Sequence, residues 1–179
     1  MLHVPEQISK PRLTLRRIRH GDAMEIFQSY SSDPQVARYM TFPVATSVHE
    51  PEQFVERAVQ SWNDGNAFTF VILSPTHSII GGCGIVRVTD WHFTCGYCLA
   101  RSEWGKGFAT EVAQAFRGWF DATPSVFRLS AFVDVDNHAS CRVLEKAGFQ
   151  FEGILRRLTI HPNISTHPRD AKIYAVVKE

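Results

Sequence analysis

The segment from Trp104 to Thr110 contains the first residues whose types and spacing suggest chemistry. Its sequence, Trp-Gly-Lys-Gly-Phe-Ala-Thr, stands between an apolar, β-like run and an amphipathic helical pattern. Glycines let a backbone approach a ligand closely, and the first N–H groups of a helix have no acceptor within that helix. With the helix dipole behind it, such a turn suits a phosphate group. The alternative is a tight turn that needs positive φ and has no ligand.

Two well-known glycine-rich phosphate loops do not fit this segment. The Lys-Ser/Thr ending of a nucleoside-triphosphate loop is missing after Gly107. The GxGxxG spacing of a dinucleotide-binding turn is not satisfied either. The turn therefore predicts at most a phosphate-bearing ligand of another class.

Asn137 and Ser140 form a second polar group with chemical potential. Both lie at the start of a short amphipathic pattern that ends at Gly148. Asn137 is a favourable helix N-cap, and Ser140, three residues later, could simply help to close that cap. However, Ser140 also shares a helix face with apolar residues, where a hydroxyl needs a partner: Val143, Leu144 and Ala147.

The predicted elements that position these residues alternate between strands and helices in the order β-α-α-α-β-β-β-α-β-α-β-β. The strands are predicted at about 12–19, 68–73, 79–88, 93–101, 127–135, 149–161 and 172–177, and the helices at about 21–31, from 33, 47–63, 105–122 and 137–147. This order predicts an α/β fold with a mixed sheet. No linker or repeat interrupts it, so we expect a single domain over residues 1–179.

Composition excludes several classes of protein. The 179 residues are 44% hydrophobic and carry a formal net charge of +1, without the basic excess that is typical of nucleic-acid or membrane-surface binding. No signal-like or membrane-spanning apolar run is present, so we expect a cytoplasmic protein. Cys95 and Cys98 have CxxC spacing, but no second pair completes a zinc site. We expect reduced, buried thiols and no metal.

The two polar segments and the strand before the turn together resemble the GNAT acetyltransferase superfamily. The resemblance rests on Gly96–Ala100, Trp104–Glu111 and Asn137–Phe149, in that order. The first strand, Leu13–Arg16, and the late Phe151–Arg156 segment with Asp170 look like the branch that contains the N-terminal acetyltransferases of ribosomal proteins. The resemblance covers nearly the whole chain. It implies a mostly antiparallel sheet of about six to seven strands, splayed centrally at a bulge to admit CoA.

The resemblance also implies a set of residues that bind acetyl-CoA. The pyrophosphate turn falls on Gly105 to Thr110, preceded by Trp104 where the family usually has Gln or Arg. The amide of Leu99 would face the thioester carbonyl as an oxyanion donor. Charged side chains near the turn could meet the remaining phosphates, or be ordinary surface charges. The implied cofactor-binding residues are Leu99, Arg101, Gly105, Lys106, Gly107, Phe108, Ala109, Thr110, Asn137, Ser140 and Lys146, with Arg142 as a further candidate.

For catalysis, the resemblance implies that Asn137 contacts the pantetheine and that Ser140 donates a proton to the departing thiolate. Leu144 stands where many members carry a tyrosine. The general base remains open among Glu52, Glu56, Glu103, His92 and water. Five large side chains could line the acceptor pocket or belong to the core: Tyr30, Tyr39, Met40, Phe42 and Trp62. Trp91 and His92 lie in a loop-like stretch, where packing is less likely to require them, and are further candidates for the pocket.

The expected reaction is transfer of an acetyl group to a primary amine, such as a protein N-terminal α-amine. Alternatives are acetylation of a polyamine, drug or aminoacyl compound, and a non-catalytic acyl-CoA sensor. The resemblance also allows a homodimer.

Overall fold

In the computed structural model, which describes residues 3–179, eight strands form one sheet in the order β1-β2-β3-β4-β5-β6-β8-β7. The strands are β1 (Gln7–Ser9), β2 (Thr14–Arg17), β3 (Ala67–Leu73), β4 (Ile79–Arg87), β5 (His92–Leu99), β6 (Arg128–Asp134), β7 (Gln150–Thr159) and β8 (Arg169–Val177). Neighbours pair antiparallel except β5 and β6, which are parallel and are therefore joined by a helical crossover. The predicted mixed, mostly antiparallel sheet is confirmed.

Five α-helices accompany the sheet within the described residues: α1 (Ala23–Ile26), α2 (Pro34–Ala37), α3 (His49–Asn63), α4 (Phe108–Asp121) and α5 (His138–Lys146). A 3₁₀ turn, His20–Asp22, precedes α1, and a π-helical turn, Phe27–Ser31, extends it. The Asp33 side chain caps α2 by accepting from the Gln35 N–H at 2.8 Å, with Pro34 at the first helical position. Both features were predictable from the sequence.

One strand and the starts of two other elements differ from the sequence prediction. Strand β1 was missed because three residues are too few to show an alternating pattern; it pairs with Thr14–Arg16 of β2. Strand β8 begins at Arg169 rather than at 172. Helix α4 begins at Phe108 rather than at 105, because Gly105 and Gly107 have φ values of +75° and +86°, which a right-handed helix cannot contain.

The sheet separates two hydrophobic clusters. On one face α4 and α5 pack over Phe70, Phe93 and Leu129, with Phe116 fully buried among them. On the other face the first three helices cover Val71 and its neighbours, with contributions from Ile26, Tyr30 and Val55. The alternation of a strand thus sends successive side chains into different clusters. Cys95 and Cys98 follow this rule, since they enter opposite clusters as unpaired thiols.

Strands β5 and β6 separate along the sheet. They pair only at three positions, from His92↔Arg128 to Thr94↔Ser130. Beyond Thr94, β5 stays paired with β4 up to Gly81↔Leu99, while β6 stays paired with β8 up to Asp134↔Ala171. These ladders keep one register, so the expected bulge at the splay is wrong, although the splay itself is present. The separation leaves a wedge-shaped gap in the centre of the sheet.

Among residues 3–179, none of the helices is both long enough and apolar enough to cross a membrane.

Candidate active site

The free edge of β5 forms one wall of the gap. The Ala100 N–H donates to the Ile80 carbonyl at 2.8 Å, which sets the alternation of the antiparallel ladder with β4. By that alternation, the N–H groups of Tyr97 and Leu99 point away from β4, toward the side that β6 has left. The Leu99 carbonyl on that side accepts the Trp104 indole N–H at 2.9 Å. The edge therefore presents main-chain donors to the gap, as expected for Leu99.

The glycine turn closes one end of the gap. Both glycines have left-handed backbone conformations, and the turn leads into α4 without a side-chain cap. The N–H groups of Phe108, Ala109 and Thr110 have no acceptor within residues 3–179. Unpaired donors at a helix N-terminus favour an anion.

Arg12 holds this turn from the far end of the sequence. Its guanidinium donates to the Lys106 carbonyl at 3.0 Å, pairs with the Glu111 carboxylate and lies 4.9 Å from the centre of the Phe108 ring. A Cβ added to Gly107 would lie 3.2 Å from the Arg12 Nη2 atom. Arg12 was not predicted from the sequence as part of the site.

A cavity of about 680 Å³ extends from the turn to the start of α5. Most of the predicted cofactor residues line it: Leu99, Gly105, Gly107, Phe108, Ala109, Thr110, Asn137, Ser140 and Lys146. Arg38 and Arg142 add positive charge to its wall, and Glu103 adds a negative one. The cavity thus joins the free N–H groups to the predicted catalytic pair.

Arg101 and Lys106 do not line this cavity, and their predicted contact with a cofactor stays a prediction. Arg101 is directed to Asp33, with Nε 3.9 Å from Oδ2, and its side chain is largely exposed. The Lys106 ammonium lies 3.1 Å from a Glu103 carboxylate oxygen. Each of these side chains is thus exposed and directed at a carboxylate of this chain.

Ser140 meets a phenol that was not predicted from the sequence. Its Oγ atom lies 2.9 Å from the Tyr97 hydroxyl, and either group can donate. Tyr97 reaches α5 because odd-numbered residues of β5 face that side of the sheet. Burial raises the pKa of Tyr97 far above its usual value, although the hydrogen bond to Ser140 opposes this shift. Leu144, at the helix position where many family members carry a tyrosine, is fully buried. The phenol near Ser140 therefore comes from Tyr97 on strand β5 and not from helix α5.

Asn137 has the capping role that its sequence position indicated. Its Oδ1 atom accepts the Ser140 N–H at 3.2 Å, and its side chain lines the cavity. The cap holds the first turn of α5 and so helps to fix the direction of Ser140. A contact between Asn137 and a ligand remains a prediction.

A second, smaller cavity of about 140 Å³ lies within the gap between β5 and β6. It shares five lining residues with the larger cavity: Tyr39, Met40, Tyr97, Asn137 and Ser140. Ser140 therefore stands at the junction of the two spaces. Tyr39 and Met40 line the gap as one sequence alternative allowed, whereas Tyr30 and Trp62 belong to the core.

Asp134 and His161 form the end wall of the smaller cavity, and neither was singled out from the sequence. Arg169 pairs with Asp134 through two contacts, at 2.6 and 3.1 Å. Burial works to raise the pKa of Asp134, but the Arg169 and Asp136 N–H hydrogen bonds and the Arg169 and His161 charges outweigh it and lower the pKa. Asp134 is therefore an ionised, buried carboxylate at neutral pH.

Glu103 lines the larger cavity, and the other side-chain candidates for a base lie outside both cavities. His92 and Trp91 stack on each other at the closed end of the splay, with ring centres 5.9 Å apart. The His92 Nε2 atom lies 2.8 Å from the Ser130 hydroxyl, and neither His92 nor Trp91 lines the two cavities. Glu52 and Glu56 on α3 do not line them either.

The cysteines of the CxxC pair stay protonated at neutral pH. Burial raises the pKa of Cys95 to about 12 and that of Cys98 to about 11. Among residues 3–179, no group of three or more His, Cys, Asp or Glu side chains is arranged to hold a metal ion.

Comparisons with known proteins show the family of this chain. The chain matches the family model described as "Acetyltransferase (GNAT) domain" over residues 12–150. It is 32% identical over 154 residues to the uncharacterized N-acetyltransferase p20 of Bacillus licheniformis, which covers 84% of this chain and 86% of the relative. It is 30% identical over 170 residues to the uncharacterized N-acetyltransferase YoaA of Bacillus subtilis, covering 93% and 94%.

Solved structures show the same fold at low sequence identity. The microcin C7 self immunity acetyltransferase MccE, solved with acetyl-CoA and AMP, superposes with a TM-score of 0.87 at 20% identity, covering 98% of both chains. The ribosomal L7/L12 alpha-N-protein acetyltransferase RimL, solved with coenzyme A, superposes with a TM-score of 0.85 at 21% identity, covering 96% of this chain and 98% of that chain. With the family-model match, these likenesses lead to one conclusion: the chain belongs to the GNAT acetyltransferase family.

Proposed function

We propose that this acetyltransferase uses acetyl-CoA to acetylate a primary amine by direct transfer within a ternary complex, and that its acceptor is an α-amine. The observation that carries the proposal is the cavity that runs from the free N–H groups of Phe108, Ala109 and Thr110 to Ser140. Its two ends offer different chemistry, an anion site at one and paired hydroxyls at the other.

The donor end of this cavity fits a pyrophosphate and a pantetheine arm. The N–H groups that begin α4 would bind the phosphates, and Arg142 and Lys146 would balance part of their charge. The free N–H of Tyr97 and Leu99 on the edge of β5 would pair with the amide groups of the arm, as an added strand does. Acetyl-CoA supplies an activated thioester, and the rest of the chemistry falls to side chains and amides of this chain.

At the sulfur end, Ser140 would deliver a proton to the leaving thiolate, as expected from the sequence. Tyr97 would hold the Ser140 hydroxyl in place and share its proton, since the two oxygens are 2.9 Å apart. The Leu99 N–H would stabilise negative charge on the carbonyl oxygen during transfer. Asn137 would keep the first turn of α5 in place through its cap.

The smaller cavity supports an α-amine rather than a polyamine as acceptor. Its volume of about 140 Å³ suits an amino group with a short stem. A polyamine needs several carboxylates along its length, but among residues 3–179 Asp134 is the only carboxylate that lines this cavity, and it is paired with Arg169. Structural likeness to RimL, which is named as an alpha-N-protein acetyltransferase, adds weight to a protein N-terminus. The competing acceptors are a small aminoacyl compound and a drug amine.

Thiol release from acetyl-CoA, measured against a panel of N-terminal peptides, spermidine and aminoglycosides, tests this function. We expect turnover with at least one peptide bearing a free α-amine, and none when the same peptide is N-terminally blocked. Turnover of spermidine or an aminoglycoside alone would contradict the acceptor assignment. If no amine is acetylated while acetyl-CoA still raises the melting temperature, the chain is a sensor and not an enzyme of this kind.

A further inference from the structure

His161 is the buried titratable side chain that the proposed chemistry leaves without a role. It follows β7 and is 1% exposed, yet it lines the smaller cavity together with Ser140 and Asn137. Its Nε2 atom is inaccessible to solvent and has no hydrogen-bond partner within residues 3–179. Buried polar atoms in proteins are nearly always paired, so an unpaired one at a ligand cavity calls for a functional explanation.

Both ring nitrogens of His161 face oxygen atoms. The Nδ1 atom lies 3.4 Å from the Met40 carbonyl oxygen, and the Nε2 atom lies 3.6 Å from Asp134 Oδ2. A neutral imidazole carries a single N–H, so in either tautomer one nitrogen lone pair is directed at an oxygen acceptor. A second proton on the ring gives each nitrogen a donor for the oxygen it faces. The surroundings of His161 are therefore arranged to receive a proton.

The charge beside His161 supports the same conclusion. Asp134 is ionised because its two-point contact with Arg169 and the Asp136 N–H hold its pKa low despite burial. A buried carboxylate next to the ring stabilises the positive charge that the ring gains with a proton. Arg169 is itself engaged by Asp134 and by Asp136, at 2.6 Å to the latter.

The other titratable groups of the smaller cavity are less suited to take a proton from an amine. The cavity is also lined by Tyr39, Cys95, Tyr97 and Asp134. The pKa of the buried Tyr97 is raised far above neutrality, and that of Cys95 is raised to about 12, so both keep their protons. Asp134 already lacks its proton and is engaged by Arg169.

We propose that His161 is the proton acceptor for the amine substrate, with Asp134 as the residue that stabilises its charged form; this rests on the proposed acetyl transfer. With the Nε2–H directed at Asp134, Nδ1 carries the lone pair, and an ammonium group entering the smaller cavity gives one proton to Nδ1 of His161. The amine nitrogen then forms the C–N bond as the C–S bond breaks. Ser140 gives its proton to the sulfur and recovers one from the nitrogen. The products are an amide, a thiol and protonated His161, which returns its proton through the cavity that it lines once the products have left.

The test compares His161→Gln with His92→Gln in the thiol-release assay, with the best acceptor from the panel. His92 is a suitable control because it is a partly buried, hydrogen-bonded histidine that lies outside both cavities. We expect His161→Gln to lower kcat by about 10²- to 10³-fold, within the range for a general base. We also expect the variant to lose the rise of kcat with pH that a proton acceptor should give the wild type, since kcat reports groups of the bound complex. Acetyl-CoA affinity, measured by calorimetry, should change less than about twofold, since the donor end is intact.

The outcomes separate this inference from the proposed function. Absence of acceptor turnover by the wild type overturns both. Normal wild-type turnover with an unchanged kcat and pH profile in His161→Gln overturns the role of His161 alone. A loss equal to that of His92→Gln, with a matching fall in melting temperature, shows a structural role and also overturns it. If His161→Gln and the smaller His161→Asn both fail to fold, the wild-type profile decides, because a wild-type kcat that does not rise with pH is incompatible with the proposal.

Discussion

Replacing Tyr97 by phenylalanine tests the hydroxyl pair at the centre of the site. The substitution removes one oxygen and keeps the ring that packs against the core. In the folded protein that oxygen lies 2.9 Å from Ser140 Oγ and 3.4 Å from the Ser140 carbonyl. If Tyr97 only positions Ser140, its loss should matter only while Ser140 is present.

The magnitude follows from the hydrogen bond that the substitution removes. A neutral hydrogen bond contributes about 1 kcal/mol net, so Tyr97→Phe should slow turnover roughly fivefold. Ser140→Ala removes a proton donor and should cost about 10²-fold, or about 2.7 kcal/mol. Because Tyr97 acts through Ser140, the double variant should lose about 10²-fold as well. Independent action would instead give the product, about 500-fold.

The assay is thiol release at saturating acetyl-CoA, with the dissociation constant of acetyl-CoA measured separately. Tyr174→Phe is the matched control, because its phenol is also buried but donates to Glu145 at 2.9 Å and lines neither cavity. Its turnover should equal that of the wild type. Multiplicative losses in the double variant would refute the coupling, and near wild-type turnover of Ser140→Ala would refute the proton-donor role itself.

Three further substitutions test the turn, the buried ion pair and the loop at the acceptor side. Gly107→Val should abolish acetyl-CoA binding in calorimetry, since the φ of Gly107 is +86° and the added atoms meet Arg12. Gly118→Ala is the control: it lies in open space within α4, so this variant should bind acetyl-CoA normally and gain about 0.5–1 kcal/mol of stability. Arg169→Ala should cost about 3 kcal/mol in urea unfolding at pH 7, because it leaves Asp134 charged and buried, whereas Arg128→Ala at a more exposed pair should cost less than about 1 kcal/mol. Folding lowers the pKa of Asp134, so the stability that its ionised form gives the folded protein is present above the usual aspartate pKa of about 3.9 and is lost as the pH falls through the lower folded value. The cost of Arg169→Ala should therefore shrink near pH 3. An undiminished cost there would contradict this reasoning. Asn163→Ala should raise the acceptor KM several-fold. The Asn163 side chain donates to the Ala37 and Phe42 carbonyls and accepts the Val44 N–H at 2.6–3.0 Å, at about 1 kcal/mol each, and so holds the segment that brings Tyr39 and Met40 to the smaller cavity. Thr166→Ala on the same exposed loop should leave KM unchanged, and equal KM values for the two variants would contradict the role of Asn163.

The local features of the site were predictable because each depends on neighbouring residues. Gly105 and Gly107 indicated a turn that needs positive φ, and Asn137 indicated a helix cap; both are observed. Even Tyr97 had a usable signal, since it lies two residues before Leu99 and so faces the same side of a strand. It was overlooked because the family resemblance indicates a phenol on helix α5, where this chain has Leu144.

The contacts between distant segments were not predictable in this way. Arg12 contacts the glycine turn although the two are 94 residues apart in the sequence. His161 follows β7 and contacts Asp134 at the end of β6, although β8 lies between these two strands in the sheet. A strand order is a property of the whole chain, and neither the period of a segment nor its composition encodes it. His161 itself lies in a polar, proline-containing stretch that resembles an ordinary loop.

The three-residue pairing of β5 with β6 gives the sheet two internal edges, each a row of main-chain groups with no strand beside it. A ligand arm placed between them would complete the ladder and bind the two halves of the sheet into one mechanical unit. The amide hydrogens of Tyr97 and Leu99 should then exchange quickly with solvent in the free protein and slowly in the complex. Occupancy of the donor site would thereby set the rigidity of the opposite wall, where Asp134 and His161 lie.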